Sequence, residues 1–99
     1  MKTLKQIRED LKGVRHYYLR KDEFDAGLRL VGSNIIFDTV QKYNAAVRSA
    51  PPKLYDVYVS LYVRNLTQEA LAIELGYTTE YVWVLNSKLL EHLQNHLSQ

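Results

Sequence analysis

The chain has no cysteine, which excludes a disulfide framework and thiol chemistry and is in keeping with a reducing compartment. No apolar run approaches the roughly 20 residues a helix needs to span a bilayer. The first residues do not combine a basic stretch, an apolar stretch and a small-residue cleavage site, so a cytoplasmic protein is expected rather than a secreted one. A glycine-rich phosphate loop, a supported Ser-His-Asp order and a metal triad are all missing. Asp22, Glu23 and Asp25 lie close together, but a charged loop explains them without chemistry. Neither an enzyme nor a cofactor is expected. The last shortage is local: no Lys or Arg stands between Arg64 and Lys88.

Ninety-nine residues suffice for one domain with a single modest core. The net charge of +2 is unevenly spread. Residues 1–50 carry ten Lys or Arg against six Asp or Glu, and residues 51–99 carry three against five. The first half is therefore basic and the second acidic.

Residues 3 to about 22 predict a helix, because Leu4, Ile7, Leu11, Val14 and Tyr18 step by three and four. That spacing is also a heptad, but at barely two repeats it favours packing within the domain over a free coiled coil. Asp22 to Ser33 reads as a connector, with two glycines and clustered acids interrupting the period; Leu28 and Leu30 alternate with Arg29, which allows a short extended piece. Ser33 or Asn34 suits the cap of a segment whose Ile36, Val40, Tyr43 and Val47 share a face, widened by Ile35 and Phe37. Pro51 and Pro52 end it, and Pro52 suits the first turn of a helix over about 52–64 with Leu54, Val57, Tyr58, Leu61 and Tyr62 inward.

The stretch from Asn65 to Leu93 carries the strongest local signals. Thr67 is a good N-cap, Glu69 suits the positive end of a helix, and Ala70, Leu71 and Leu75 form an apolar stripe. Gly76 follows where a left-handed residue is wanted. Thr78 caps a second helix whose inner face is Val82, Leu85, Leu89 and Leu93. The expected fold is all-α: an N-terminal helix and a central helix packed on a helix-turn-helix module over 52–95. Leu71, Leu75, Val82, Leu85 and Leu89, with Val57, Leu61 and Val40, are the expected core.

A helix ending in Arg64, then Leu66-Thr67-Gln68-Glu69-Ala70-Leu71-Ala72, then Glu74-Leu75-Gly76-Tyr77-Thr78, then Val82 and the Leu89-Leu90-x-x-Leu93 ending make residues 52–93 resemble the sigma-70 region-4 helix-turn-helix. The pattern is shared with LuxR-type DNA-binding domains. In size and layout the chain is similar to the small phage and prophage regulators of the ArpU and RinA type. The resemblance implies a transcription regulator working on double-stranded DNA in a bacterial host cytoplasm, as a homodimer or beside RNA polymerase.

In such modules the second helix enters the major groove. The resemblance then implies contacts from Thr79, Glu80, Tyr81, Trp83, Val84 and Ser87, with Lys88 one turn on and Thr67, Gln68 and Thr78 at the helix starts. Thr79 and Ser87 can donate to phosphate or base, Glu80 can accept from a cytosine amino group, and Tyr81 and Trp83 can touch thymine methyls. The electrostatic part of the affinity is not in that helix. Lys5, Arg8, Lys12 and Arg15 of the first helix, with Arg64, are the phosphate-contact candidates.

Two further features bear on partners. Trp83 falls on the face expected to be solvated, either packed into a groove against the N-terminal half or serving as an anchor for DNA or protein. An acidic second helix free of arginine, with Tyr81, Trp83 and Val84 outward, also fits a protein-interaction module on the same fold, gripping a partner such as RNA polymerase. The eight tyrosines read as core-edge residues. His92 and His96 share a helix face, but two histidines are too few for a metal site, and His16 reads as surface.

Overall fold

The computed structural model describes residues 2–31 and 35–97, and the side chains of all of these except 28–31. It is all-α: six helices and no strand among the described residues. They are α1 (Leu4–Leu19), α2 (Lys21–Val31), α3 (Ile35–Val47), α4 (Pro52–Tyr58), α5 (Gln68–Leu75) and α6 (Thr79–His96), with α4 running on into a π-helical turn over Val59–Val63. The proposed cap at Ser33 or Asn34 lies outside the described residues. No helix among them is long and apolar enough to cross a membrane.

α1 starts with a reciprocal cap: the Thr3 hydroxyl accepts from the Gln6 N–H while the Gln6 side chain accepts from the Thr3 N–H. Its buried residues are Ile7, Leu11, Val14 and Tyr17. The stripe thus follows the helical period to Tyr17, and Tyr18 is only half-buried. α1 packs on α3, on the π turn and on α6, so the heptad spacing serves the interior of the domain. Val40, Tyr43 and Val47 of α3 are buried as the spacing predicts, whereas Ile35 is 85 % exposed at the helix start.

Residues 22–33 correct the sequence reading, since most of the expected connector is α2. The acids that looked like loop composition are paired at helical spacing. Glu23 accepts from Arg20 at 2.7 Å, and Asp25 accepts from Lys21 at 2.6 Å. Asp22 and Glu23 fall in the first turn, which suits the dipole. The Tyr17 hydroxyl donates to Asp25 at 2.7 Å, and the Phe24 ring meets His16 edge-on and Tyr17 at a tilt, which fastens α2 to the end of α1.

The helix expected over 52–64 is continuous but not uniform. In its last part the hydrogen bonds lengthen in register, as Arg64 N–H donates to Val59 C=O at 2.8 Å, and the widened turn buries the three consecutive residues Ser60, Leu61 and Tyr62. Asn65 then takes φ 60°, a left-handed conformation that asparagine tolerates.

Thr67 and Thr78 cap α5 and α6 by accepting from Ala70 and Tyr81 N–H. Gly76 has φ 70°, and Tyr77 N–H donates to Ala72 C=O while Gly76 N–H donates to Ile73 C=O, closing α5 with the six-to-one and five-to-two pair of a Schellman turn. The expected core holds for Leu71, Val82, Leu85, Leu89, Val57, Leu61 and Val40, all buried. Leu75 is a correction: it is 44 % exposed. Its direction around the helix is that of Leu71 and Ala72, but it is the last residue of an eight-residue helix, and cover runs out at that end.

Candidate functional site

A groove between α1 and α6, closed at one end by the start of α5, gathers six of the sequence candidates. Arg8, Lys12 and Arg15 come from one side of α1, Trp83, Asn86 and Ser87 from the flank of α6, and Gln68 from α5. Leu11, Tyr62 and Leu90 form the floor, and the groove encloses about 280 Å³. Its lining holds three cationic side chains and no carboxylate. The basic half of the chain therefore brings positive charge to the acidic half at this place.

The groove is built around Tyr62. Its ring lies beneath the Arg15 guanidinium, 5.4 Å from the centroid, and its hydroxyl donates to Asn86 Oδ1 at 2.6 Å. Burial raises the phenol pKa, while the Asn86 hydrogen bond and the nearby charges of Arg15 and Arg8 oppose the shift. Arg15 also donates from Nε to Leu61 C=O at 2.8 Å and from Nη2 to Leu66 C=O at 3.0 Å. Leu61 C=O is at the end of a helix, where backbone donors run out, and Leu66 C=O is in the linker just before the Thr67 cap of α5. Of the four α1 cations proposed for phosphate contact, Arg15 thus has a structural task.

The others differ. Arg8 is exposed and has no ion-pair partner among the described residues. Lys12 pairs with Glu9 at 3.2 Å, a well-exposed contact that contributes little. Lys5 is exposed and outside the groove lining, and Arg64 pairs with Glu74 at 3.2 Å.

The residues singled out on α6 fall into separate groups. Trp83 is 61 % exposed, at the groove rim. Ser87 lines the groove and donates to Trp83 C=O at 3.1 Å. Thr79, Glu80, Val84 and Lys88 are exposed and outside the groove lining, as are the cap residues Thr67 and Thr78. Tyr81 leans away, edge-on to Tyr77 at 4.8 Å, with Lys53 Nζ 3.2 Å from its hydroxyl. The sequence reading missed Asn86 and Tyr62 as groove residues. Asn86 carried a usable signal, as a polar residue directly following Leu85 on the edge of the apolar stripe.

At the far end of α6, His92 and His96 stack at 4.0 Å, and His92 Nε2 lies 3.2 Å from Ala46 C=O. No group of three metal-ligating side chains occurs among the described residues.

Comparison with known protein families, with curated proteins and with solved structures found no match.

Proposed function

We propose that the protein is a small DNA-binding transcription regulator of the phage or prophage kind, using α5 and α6 as a helix-turn-helix on promoter DNA. The observation that carries this reading is the groove, in which Arg8 and Lys12 stand beside Gln68, Trp83 and Ser87. Non-specific affinity for a duplex comes mainly from neutralised phosphates, and α6 by itself lacks the cations. Two hydroxyl-capped helices joined at a left-handed glycine, with the second presenting Thr79, Glu80 and Val84 to solvent, agree with a groove-entering element.

A second reading has its own observation. Ile73 is 83 % exposed on α5, and Trp83 and Val84 are exposed on α6. Apolar side chains left outward in this way suit a protein partner such as RNA polymerase.

Titration of the purified protein with duplex fragments from its own genomic neighbourhood, at low salt and again at about 150 mM, separates the two. Sequence-dependent binding that weakens steeply with salt supports the regulator. Binding to no duplex, together with co-purification of RNA polymerase that Trp83→Ala abolishes, supports the interaction module instead.

A further inference from the structure

The exposed surface of α6 is divided between two neighbourhoods. Trp83 and Ser87 are one turn apart on the flank facing α1, in the groove that Arg8 and Lys12 line. Glu80 and Val84 are also one turn apart, but they are exposed outside that groove. At roughly 100° per residue all four lie on the outward side of α6, with Trp83 nearest α1 and Glu80 and Val84 progressively farther round.

We infer that the α1–α6 groove holds the sugar–phosphate backbone of one DNA strand. Trp83 is then a backbone-contacting residue, and base discrimination falls to Glu80 and Val84. The inference rests on the DNA-binding reading above and assigns the parts of that surface.

Three observations favour a phosphate strand in the groove. First, its lining has cations and no carboxylate, although the half of the chain that holds α5 and α6 carries five acids against three bases. Second, the cations differ in availability. Arg15 is engaged with Leu61 and Leu66, whereas Arg8 has no ion-pair partner among the described residues and Lys12 has only an exposed pair with Glu9 to exchange for a phosphate. Third, donors accompany the charge. Tyr62 occupies Asn86 Oδ1, which leaves the Asn86 amide N–H groups to donate, and the Gln68 amide lines the same space.

Trp83 completes the wall. Its flat apolar ring suits the face of a deoxyribose, and its indole N–H suits a phosphate oxygen. Phosphate contacts fix register and orientation and carry no direct sequence information, whereas base contacts carry it. A base reader must lie on the arc of the helix directed into the DNA groove. With α1 and its cations lying against one backbone strand, that arc is the one bearing Glu80 and Val84.

The test uses the full chain, a randomised duplex pool to obtain base preferences, and titrations of the selected duplex and a scrambled duplex across salt. Trp83→Ala and Arg8→Ala are expected to weaken both duplexes by the same factor and to leave the preferences unchanged. Arg8→Ala is also expected to lower the salt slope by about one. Trp83→Tyr restores most of the affinity, and Glu80→Ala shifts the preferences. Thermal melts of each variant confirm folding. Lost preference at particular base positions in Trp83→Ala, or an unchanged salt slope in Arg8→Ala, overturns this assignment and leaves the DNA reading standing. A wild-type protein that binds no duplex removes both.

Discussion

The guanidinium Nε of Arg15 donates to the carbonyl of Leu61 at 2.8 Å across 46 positions of sequence. The same side chain reaches Leu66 C=O at 3.0 Å and covers the Tyr62 ring, so a residue of α1 closes the end of the helix that leads into α5. Removing it leaves Leu61 C=O at the helix end and Leu66 C=O in the linker without their donor. Arg15→Ala is expected to cost about 2 kcal/mol, in the range of hydrogen bonds from charged groups. In a domain of this size that lowers the melting temperature by roughly 10 °C. Arg15→Lys recovers only part, because an ammonium does not reproduce the fork that spans two carbonyls. Thermal melts followed by circular dichroism measure both.

Leu71 and Leu75 share a direction on α5 and differ in cover. Leu71 is buried, and truncating it to Ala is expected to cost about 2–5 kcal/mol. Leu75 is half in water, and Leu75→Ala is expected to cost about 1 kcal/mol or less, with the better helix preference of Ala offsetting part of the loss. Urea midpoints of the two variants should therefore be well separated; equal midpoints contradict the placement of Leu75.

The single tryptophan stands at the rim of a cationic groove. Its emission is expected to be red-shifted and readily quenched by acrylamide. Iodide should quench more strongly than caesium, because Arg8 and Lys12 concentrate anions and repel cations, and added salt should reduce the difference. Trp83→Ala is expected to change stability by no more than about 0.5 kcal/mol, as exposed substitutions do. A blue-shifted, protected spectrum contradicts the exposed position.

Alkaline pH is expected to unfold the chain. Burial pushes the Tyr17 phenol up to about 12, and donation to Asp25 adds to the shift. Burial also raises Tyr43 and Tyr58, and Tyr43 donates to Asp10 at 2.6 Å besides. A phenol with a higher pKa in the folded state loses its proton first in the unfolded chain. Stability from these groups is thus complete below about pH 10 and falls as pH rises through the folded value. Urea unfolding at a series of pH values should show that decline, and Tyr17→Phe should flatten it between about 10 and 12. Stability that rises over that interval contradicts the assignment.

How much was legible beforehand depended on range. Thr67, Gly76 and Thr78 act through hydrogen bonds within a few residues of themselves, so the limits of α5 and α6 followed from the sequence. The apolar spacing of Val82, Leu85, Leu89 and Leu93 likewise identified their buried face. α2 was missed because its acids were weighed by composition. Their partners Arg20 and Lys21 lie just ahead of them, at distances only a helix makes meaningful. Leu75 was misjudged because periodicity gives a direction around a helix and says nothing of where along its axis the covering helices end.

The candidate site divides in the same way. Sequence alone determined which residues had chemistry to offer: a lone tryptophan, hydroxyls at helix starts, and cations concentrated in the first half with none between Arg64 and Lys88. Only the tertiary structure decided which of them meet. It brought Arg8 and Lys12 to the flank of α6 beside Trp83 and Ser87, turned Tyr81 toward Lys53, and set Arg15 to closing a helix end. The physical reason is that caps and turns are settled by local hydrogen bonds. The neighbours of an exposed side chain depend on how whole helices pack, and that packing is governed by the shared core of α1, α3, α4 and α6.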